Sequence, residues 1–160
     1  MRKLFLLMLC LCLFTGVSSA AKLEVFGGGQ YSHLDPNFNL VGWNLAATVN
    51  AGHFFGVTGD FSGVYRNGLN FHTYTVGPEL HASLPLIKPF VHGLIGGARS
   101  AGGGISANGF VGMIGGGVDM GAGLIAFRPV QVDWMATRFS GVTNQSSKNF
   151  RASAGLVLRF

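Results

Sequence analysis

Charged residues are scarce in this chain of 160 residues. Only 11% of the residues are Asp, Glu, Lys or Arg, whereas 48% are hydrophobic. Soluble proteins carry roughly 25 to 35% charged residues on their surfaces, so the composition predicts an exposed surface that is largely apolar. The 11 basic residues outnumber the 6 acidic ones. They form no cluster, however, and we expect no binding to nucleic acid.

Cysteine is missing from most of the chain, because both cysteines, Cys10 and Cys12, lie near the N-terminus. Two basic residues there precede an apolar run over 4–14, and small residues follow the run, as in a secretory signal peptide. The run is too short for a transmembrane helix, which needs about 20 residues. We predict a cleaved signal peptide over 1–20 and a single mature domain over 21–160 that contains no disulfide.

No later apolar run is long enough for a membrane-spanning helix, and the dominant pattern has a period of two. From 150 to 160 every second residue is apolar, with Phe150 at one end and Phe160 at the other. The segment from Phe55 to Tyr65 repeats this interval of ten residues. Ten residues of a strand tilted near 40° rise roughly 25 Å, the height of the apolar band of an outer-membrane barrel.

The remaining segments extend this pattern to eight strands. They are predicted over 22–33, 41–51, 54–66, 71–84, 88–100, 108–120, 124–138 and 149–160. Short connections alternate with longer, more polar ones, as the periplasmic turns and outer loops of such barrels do. The prediction is an all-β fold: an eight-stranded antiparallel up-and-down transmembrane β-barrel. The 26 glycines would let the wall bend and make room for bulky interior side chains.

The layout resembles the small OmpA/OmpX-like outer-membrane β-barrel families. The resemblance rests on segments such as "GWNLAATVNAGHFFGVTGDFSG", "KPFVHGLIGGARS", "AFRPVQVDWMATRF" and "FRASAGLVLRF", and it covers the mature chain. It implies export to the outer membrane of a diderm bacterium and contact with outer-membrane lipids and lipopolysaccharide. It also implies recognition of Phe160 by the outer-membrane assembly machinery. No peptidoglycan-binding domain follows the barrel, and we expect a monomer.

Polar residues that alternate with the apolar series are predicted to face the barrel interior. They are Glu24, Gln30, Asn44, Thr48, Asp60, Thr73, Glu79, Asp119, Arg151 and Arg159. Opposite charges in a water-poor interior should form ion pairs, because unpaired charges there are costly. Side chains can fill the interior of an eight-stranded barrel, so we expect no open pore.

Arg128 and Asp133 lie an odd number of residues apart, so a regular seventh strand would direct one of them towards lipid. Pro129 lies between them and lacks a backbone N–H. We therefore predict a β-bulge at Pro129. Such a bulge lets both charged side chains face inwards and leaves Val130, Val132 and Trp134 facing lipid.

Three patterns suggest chemistry, and each is weak. Glu79, His81 and Ser83 share one face of the fourth strand, but residues two apart are about 7 Å from each other, too far for a catalytic triad. His81 would pair with His92 if the turn between them were centred on 86–87. Phe90 and Arg99 favour a conflicting register, so a metal-binding pair stays open. "GAGLIA" fits a dinucleotide fingerprint, but an extended pattern with a proline follows it where a helix is required.

We therefore predict a non-enzymatic integral outer-membrane protein with a structural or surface-interaction role. No catalytic, cofactor-binding or metal-binding residue is assigned. A narrow transport channel and a lipid-modifying outer-membrane enzyme are the alternatives. A soluble ligand-binding barrel of the lipocalin type is a further one.

Overall fold

A computed structural model describes residues 22–34, 38–66, 69–102, 105–139 and 146–160. The predicted signal peptide lies outside these residues, so both its cleavage and the start of the mature domain stay predictions. Within the described residues, no helix is long and apolar enough to cross a bilayer.

The chain forms a closed antiparallel barrel of eight strands in sequence order, with β1 paired to β8. The strands are β1 (Lys22–Leu34), β2 (Phe38–Asn50), β3 (Phe55–Arg66), β4 (Leu69–His81), β5 (Ile87–Gly102), β6 (Ile105–Met120), β7 (Ile125–Phe139) and β8 (Ser146–Arg159). The predicted architecture is confirmed. We call the end with the connections at 51–54, 82–86 and 121–124 the short-turn end, and the opposite end the loop end.

The barrel is apolar outside and largely polar inside, the reverse of a soluble protein. On β3, Phe61 is 43% exposed while its neighbour Asp60 is 3% exposed. On β8, Leu156 is 55% exposed while Arg151 is fully buried. Exposed aromatic residues lie near both ends of the wall. At the loop end they are Tyr31, Tyr65, Phe110, Trp134 and Phe150, and at the short-turn end they are Phe54, Phe55, Phe127 and Phe160.

The C-terminal residue completes the barrel. The backbone N–H of Phe160 donates to the carbonyl of Leu23 (2.8 Å), and the N–H of Leu23 donates to Phe160 (3.2 Å). The Phe160 side chain is 65% exposed on the outer surface. The terminal aromatic therefore lies at the seam between the first and last strands.

The predicted bulge in β7 is confirmed. Pairing of β7 with β8 shifts register between Arg128 and Gln131, on either side of Pro129. Arg128 and Asp133 are both buried inside the barrel, while Val130, Val132 and Trp134 are exposed. Proline has no backbone N–H to donate to a neighbouring strand. A bulge at Pro129 therefore breaks fewer interstrand hydrogen bonds than a bulge elsewhere in β7 would.

The turn between β4 and β5 is not centred where it would have to be for His81 to lie opposite His92. Leu84 N–H donates to the carbonyl of Ile87 (3.0 Å), which centres the turn on 85–86. His81 therefore lies opposite Phe90, and His92 lies opposite Glu79. The predicted cross-strand pairing of His81 with His92 is wrong, because shifting the turn centre by one residue shifts the partner of each residue by two positions.

The orientation of β5 follows from the same register. Phe90 is 4% exposed inside the barrel, and Arg99 is exposed on the outer wall. An aromatic residue thus takes an interior position that the polar and apolar pattern does not reveal.

Candidate functional site

The centre of the barrel is occupied by an ion-pair network around Arg151 on β8. Its Nη1 and Nη2 donate to the two carboxylate oxygens of Asp60 on β3 (2.8 and 3.0 Å). Its Nε donates to Oδ2 of Asp133 on β7 (2.7 Å). One guanidinium therefore pairs with two buried carboxylates and joins strands on opposite sides of the interior.

Asp133 is satisfied by further donors. Gln131 Nε2 donates to its Oδ2 (2.9 Å), and His92 Nε2 lies 2.7 Å from its Oδ1. The neighbouring position on β6 is Gly115, where a Cβ would collide with the Asp133 carboxylate. The glycine thus provides the space that the network needs, as predicted for a narrow barrel.

A second group surrounds Arg128, nearer the short-turn end. Its Nε and Nη2 donate to Asp119 (2.6 and 3.1 Å), and its Nη1 donates to Gln131 (2.6 Å). The guanidinium carbon lies 4.5 Å from the ring centroid of Phe26 and 4.2 Å from that of Phe90. Arg128 is therefore held between two aromatic rings by cation–π attraction as well as by its carboxylate partner.

A third group lies at the short-turn end itself. Lys88 Nζ donates to Glu24 (2.6 Å), and Asn50 Oδ1 lies 3.4 Å from the same ammonium. Arg159 approaches Glu24 at 3.4 Å and Asp119 at 3.8 Å. A cavity of about 980 Å³ is lined by these side chains and by the adjacent turns.

The predicted interior residues all face inwards. Nine of them are buried, and Arg159 at the barrel mouth is partly exposed. The sequence interpretation missed Lys88, His92 and the pairing of Arg128 with two aromatic rings. Lys88 and His92 share the interior face of Phe90, but the sequence gives no signal for that face because glycines and apolar residues occupy both sides of β5.

Towards the loop end, the interior changes character. Leu94, Met113 and Met135 form a buried apolar cluster two residues beyond His92 and Asp133 on their strands. Val64 and Val111 are also buried towards this end, as are the hydrogen-bonded hydroxyls of Ser62 and Thr73 (2.6 Å). Among the described residues, the buried charges therefore lie at the centre and the short-turn end, and the interior towards the loop end is uncharged.

The residues considered for hydrolysis do not form a triad. Glu79 and His81 are buried, but His81 Nδ1 lies 3.8 Å from the Glu79 carboxylate, beyond hydrogen-bond distance. Glu79 instead accepts a hydrogen bond from Thr58 (2.8 Å). Ser83 lies beyond the end of β4 and is exposed. A nucleophile and a base in contact are the minimum requirement for this chemistry, and that contact is missing.

The glycine pattern at 121–126 leads into strand β7, and two of its glycines have positive φ angles (132° at Gly121 and 84° at Gly123). It is a tight turn without the following helix that phosphate binding by this fingerprint requires. Among the described residues, no three His, Cys, Asp or Glu side chains are grouped closely enough to hold a metal ion.

Charges on the outer wall have one sign. Each Asp and Glu side chain in the described part of the chain is buried inside the barrel. Arg99 on β5 and Arg138 on β7 are exposed near the loop end, and Lys22 is exposed at the short-turn end. Predictions for the side chains of Arg66 and Lys148 lie outside the described residues.

Comparison with known proteins finds similarity in the fold. No protein-family model and no curated protein sequence matches the chain. Among solved structures, it is similar to Neisserial surface protein A (NspA), at 12% identity over 89% of this chain and 98% of that one, with a TM-score of 0.65. It is also similar to Ail, the attachment invasion locus protein of Yersinia pestis, at 14% identity over 89% and 100% of the two chains, with a TM-score of 0.56.

The outer membrane enzyme PagL shares the fold as well, at 13% identity over 84% of this chain and 98% of that one, with a TM-score of 0.55. The fold therefore occurs both in an enzyme and in proteins described as surface or attachment proteins. The chain has the architecture of the small eight-stranded outer-membrane β-barrels, and its resemblance to the OmpA/OmpX-like group is confirmed at the level of the fold.

Proposed function

We propose that the protein is a non-enzymatic integral outer-membrane protein that strengthens the envelope and presents its loop end to the cell surroundings. The inverted distribution of polarity carries this proposal. The wall exposes large apolar side chains between two bands of aromatic residues, and the described carboxylates all lie inside. Such a wall is stable in hydrocarbon and would aggregate in water. This argues against the lipocalin-type alternative.

A structural role fits the interior better than transport does. Arg151 bridges carboxylates from opposite sides of the barrel, and Arg128 is held between Phe26 and Phe90. These side chains fill the interior at two levels, and a buried apolar cluster lies beyond them. A solute would have to break ion pairs that are costly to separate away from water.

A lipid-modifying activity is the weaker alternative. The separation of Ser83 from Glu79 and His81 leaves no activated nucleophile among these three residues. The shared fold with PagL keeps this alternative worth measuring. Unchanged lipid A mass spectra after expression would support the non-enzymatic role, and a shortened acyl pattern would contradict it.

The outward cations at the loop end support a contact with lipopolysaccharide. Arg99 and Arg138 lie on β5 and β7, separated by one strand, so their backbones are about 10 Å apart. No described carboxylate shares this surface, so both guanidinium groups are available to phosphates of the outer leaflet. Ail, a structural neighbour, has been crystallised with the heparin analogue sucrose octasulfate.

The membrane assignment is tested by expressing the full chain in a diderm bacterium and separating the two membranes by density. We expect the protein in the outer-membrane fraction, resistant to carbonate extraction, with faster gel migration before boiling than after. Recovery from the soluble periplasmic fraction would overturn the proposal. Bilayers containing the purified protein should show no steady conductance.

The lipopolysaccharide contact is tested with the double variant Arg99→Gln and Arg138→Gln. We expect weaker, less salt-dependent binding of lipopolysaccharide, because two charge-assisted contacts are lost. Arg99→Lys combined with Arg138→Lys is the matched control, since it keeps both positive charges. Equal weakening by the control would contradict a role of charge at the assigned surface.

Export and assembly complete the proposal. Residues 1–20 act as a cleaved signal peptide, and Phe160 serves both as a wall residue and as part of the segment read by the assembly machinery. Its exposed ring at the seam of β1 and β8 supports this role. The protein is proposed to act as a monomer.

A further inference from the structure

We propose that the cavity at the short-turn end binds a phosphate group. The cavity has a volume of about 980 Å³, at the upper end of the usual range for small-molecule sites. It is a separate site from the outer-wall arginines, and its existence does not depend on the proposed function.

Cationic side chains in this cavity outnumber its carboxylates. Lys22, Lys88 and Arg159 line the cavity, together with Glu24 and with Phe160, which carries the terminal carboxylate. Lys88 Nζ forms an ion pair with the Glu24 carboxylate at 2.6 Å, whereas Arg159 Nε lies 3.4 Å from the same carboxylate. Lys22 has no ion pair with any described residue. Lys22 is therefore left without a close anionic partner, and Arg159 has only the longer ion pairs with Glu24 (3.4 Å) and Asp119 (3.8 Å).

The nearby carboxylates outside the lining are already occupied. Asp119 accepts two hydrogen bonds from Arg128 and lies 3.8 Å from Arg159. Glu79 accepts a hydrogen bond from Thr58. Neither carboxylate is free to neutralise the cations that line the cavity.

Buried donor groups in the lining lack partners. Arg159 Nη1 donates to the carbonyl of Gly121 (3.2 Å), but its Nε and Nη2 have no hydrogen-bond partner in the described structure. His81 is 6% exposed, lines the same cavity, and its Nδ1 is also without a hydrogen-bond partner there. Buried donors are normally satisfied, so the two Arg159 nitrogens indicate a missing acceptor, and His81 can donate to the same acceptor in the tautomer protonated at Nδ1.

A phosphate group matches this arrangement better than a carboxylate does. Its non-bridging oxygens, two in a phosphodiester and more in free phosphate, each accept several hydrogen bonds and can be reached by an ammonium, a guanidinium and an imidazole from different strands. Apolar residues at the rim, Leu84, Ile87 and Phe160, could contact the acyl part of a lipid. The same phosphate chemistry is supplied by free phosphate and by an anionic phospholipid headgroup.

The test is a titration of the folded full chain in a maltoside detergent, which carries no phosphate. One arm uses inorganic phosphate and the other uses monomeric dihexanoyl phosphatidylglycerol, each followed by calorimetry. We expect saturable binding in at least one arm. Saturation only with the lipid identifies a headgroup as the source, and saturation only with the inorganic ion identifies a free phosphate.

Variants locate the site. Lys22→Gln and Arg159→Gln should each weaken binding by about tenfold, the loss expected for one charge-assisted contact. Lys22 is exposed and unpaired in the described structure, so its variant tests the site even where the Arg159 variant folds poorly. Asn70→Ala, an exposed position at the loop end that belongs to neither proposed site, should bind like the unaltered protein.

Three results would overturn the inference. One is the absence of saturation up to about 10 mM in both arms, a range that includes weak specific sites. Another is an equal loss of binding in the Asn70 control. The third is acetate binding as tightly as phosphate at the same ionic strength.

Discussion

The interior of the barrel has two regions that are stabilised in different ways. From the short turns to the centre, charged side chains neutralise one another, as Arg151 does with Asp60 and Asp133. Towards the loop end, Leu94, Met113 and Met135 pack without charge. On β5 and β7 the change occurs within two residues, between His92 and Leu94 and between Asp133 and Met135.

The difference shows that the interior of a membrane barrel can be filled in two ways, by paired charges or by packed apolar side chains. An ion-pair network is specific, because each donor needs its own acceptor, but it becomes costly when one member is removed. An apolar cluster depends on the fit of its side chains and leaves no charge behind when it is disturbed. The two regions should therefore respond differently to truncation.

The largest effect is expected for Arg151→Met. It leaves two buried carboxylates without their shared partner and should lower the free energy of unfolding by about 3 to 5 kcal/mol. Urea unfolding in lipid vesicles measures this. Arg99→Met is the matched control for an exposed arginine on the wall.

A triple variant separates charge from packing in that network. Arg151→Met combined with Asp60→Asn and Asp133→Asn removes the stranded charges and should recover most of the lost stability. If the triple variant is less stable than Arg151→Met alone, packing rather than charge governs this region.

A smaller loss is expected for Leu94→Ala at the loop end. The side chain is 1% exposed, and its truncation should cost about 3 kcal/mol, the middle of the range for buried leucines. Ile95→Ala tests the neighbouring residue on the lipid-facing wall, where the side chain is 61% exposed. Equal losses for the two variants in the same unfolding assay would argue against an apolar interior cluster.

The smallest effect is expected for Phe90→Leu. It retains an apolar side chain but removes one of the two rings that hold Arg128, so the loss should be about 1 to 2 kcal/mol. Phe61→Leu, on the outer wall, controls for loss of an aromatic ring. If Phe90→Leu lowers the free energy of unfolding no more than Phe61→Leu does, the cation–π contact contributes little to stability.

The wall was predictable from the sequence because each strand alternates apolar and polar residues. The β7 bulge was also predictable, since Arg128 and Asp133 can share a face only if the strand is irregular at Pro129. In β5, glycines and apolar residues occupy both faces, so the orientation of Phe90 could not be read from the pattern.

Partners across the interior were beyond sequence reasoning. Arg151 and Asp60 are 91 residues apart. Their meeting depends on the tilt and stagger of all eight strands. The uncharged loop end was missed for a related reason: single inward leucine and methionine residues do not interrupt an apolar run. The cavity at the short-turn end, likewise, is assembled from several turns and from the first and last strands.

The link between Arg151 and Asp60 also bears on the order of biogenesis. Asp60 belongs to the third strand, and its cationic partner is supplied by the last strand to leave the ribosome. A half-inserted sheet would expose a bare carboxylate to the bilayer until the final hairpin arrives. Insertion and closure are thereby coupled into one event, which favours delivery of a nearly complete chain over stepwise entry of hairpins.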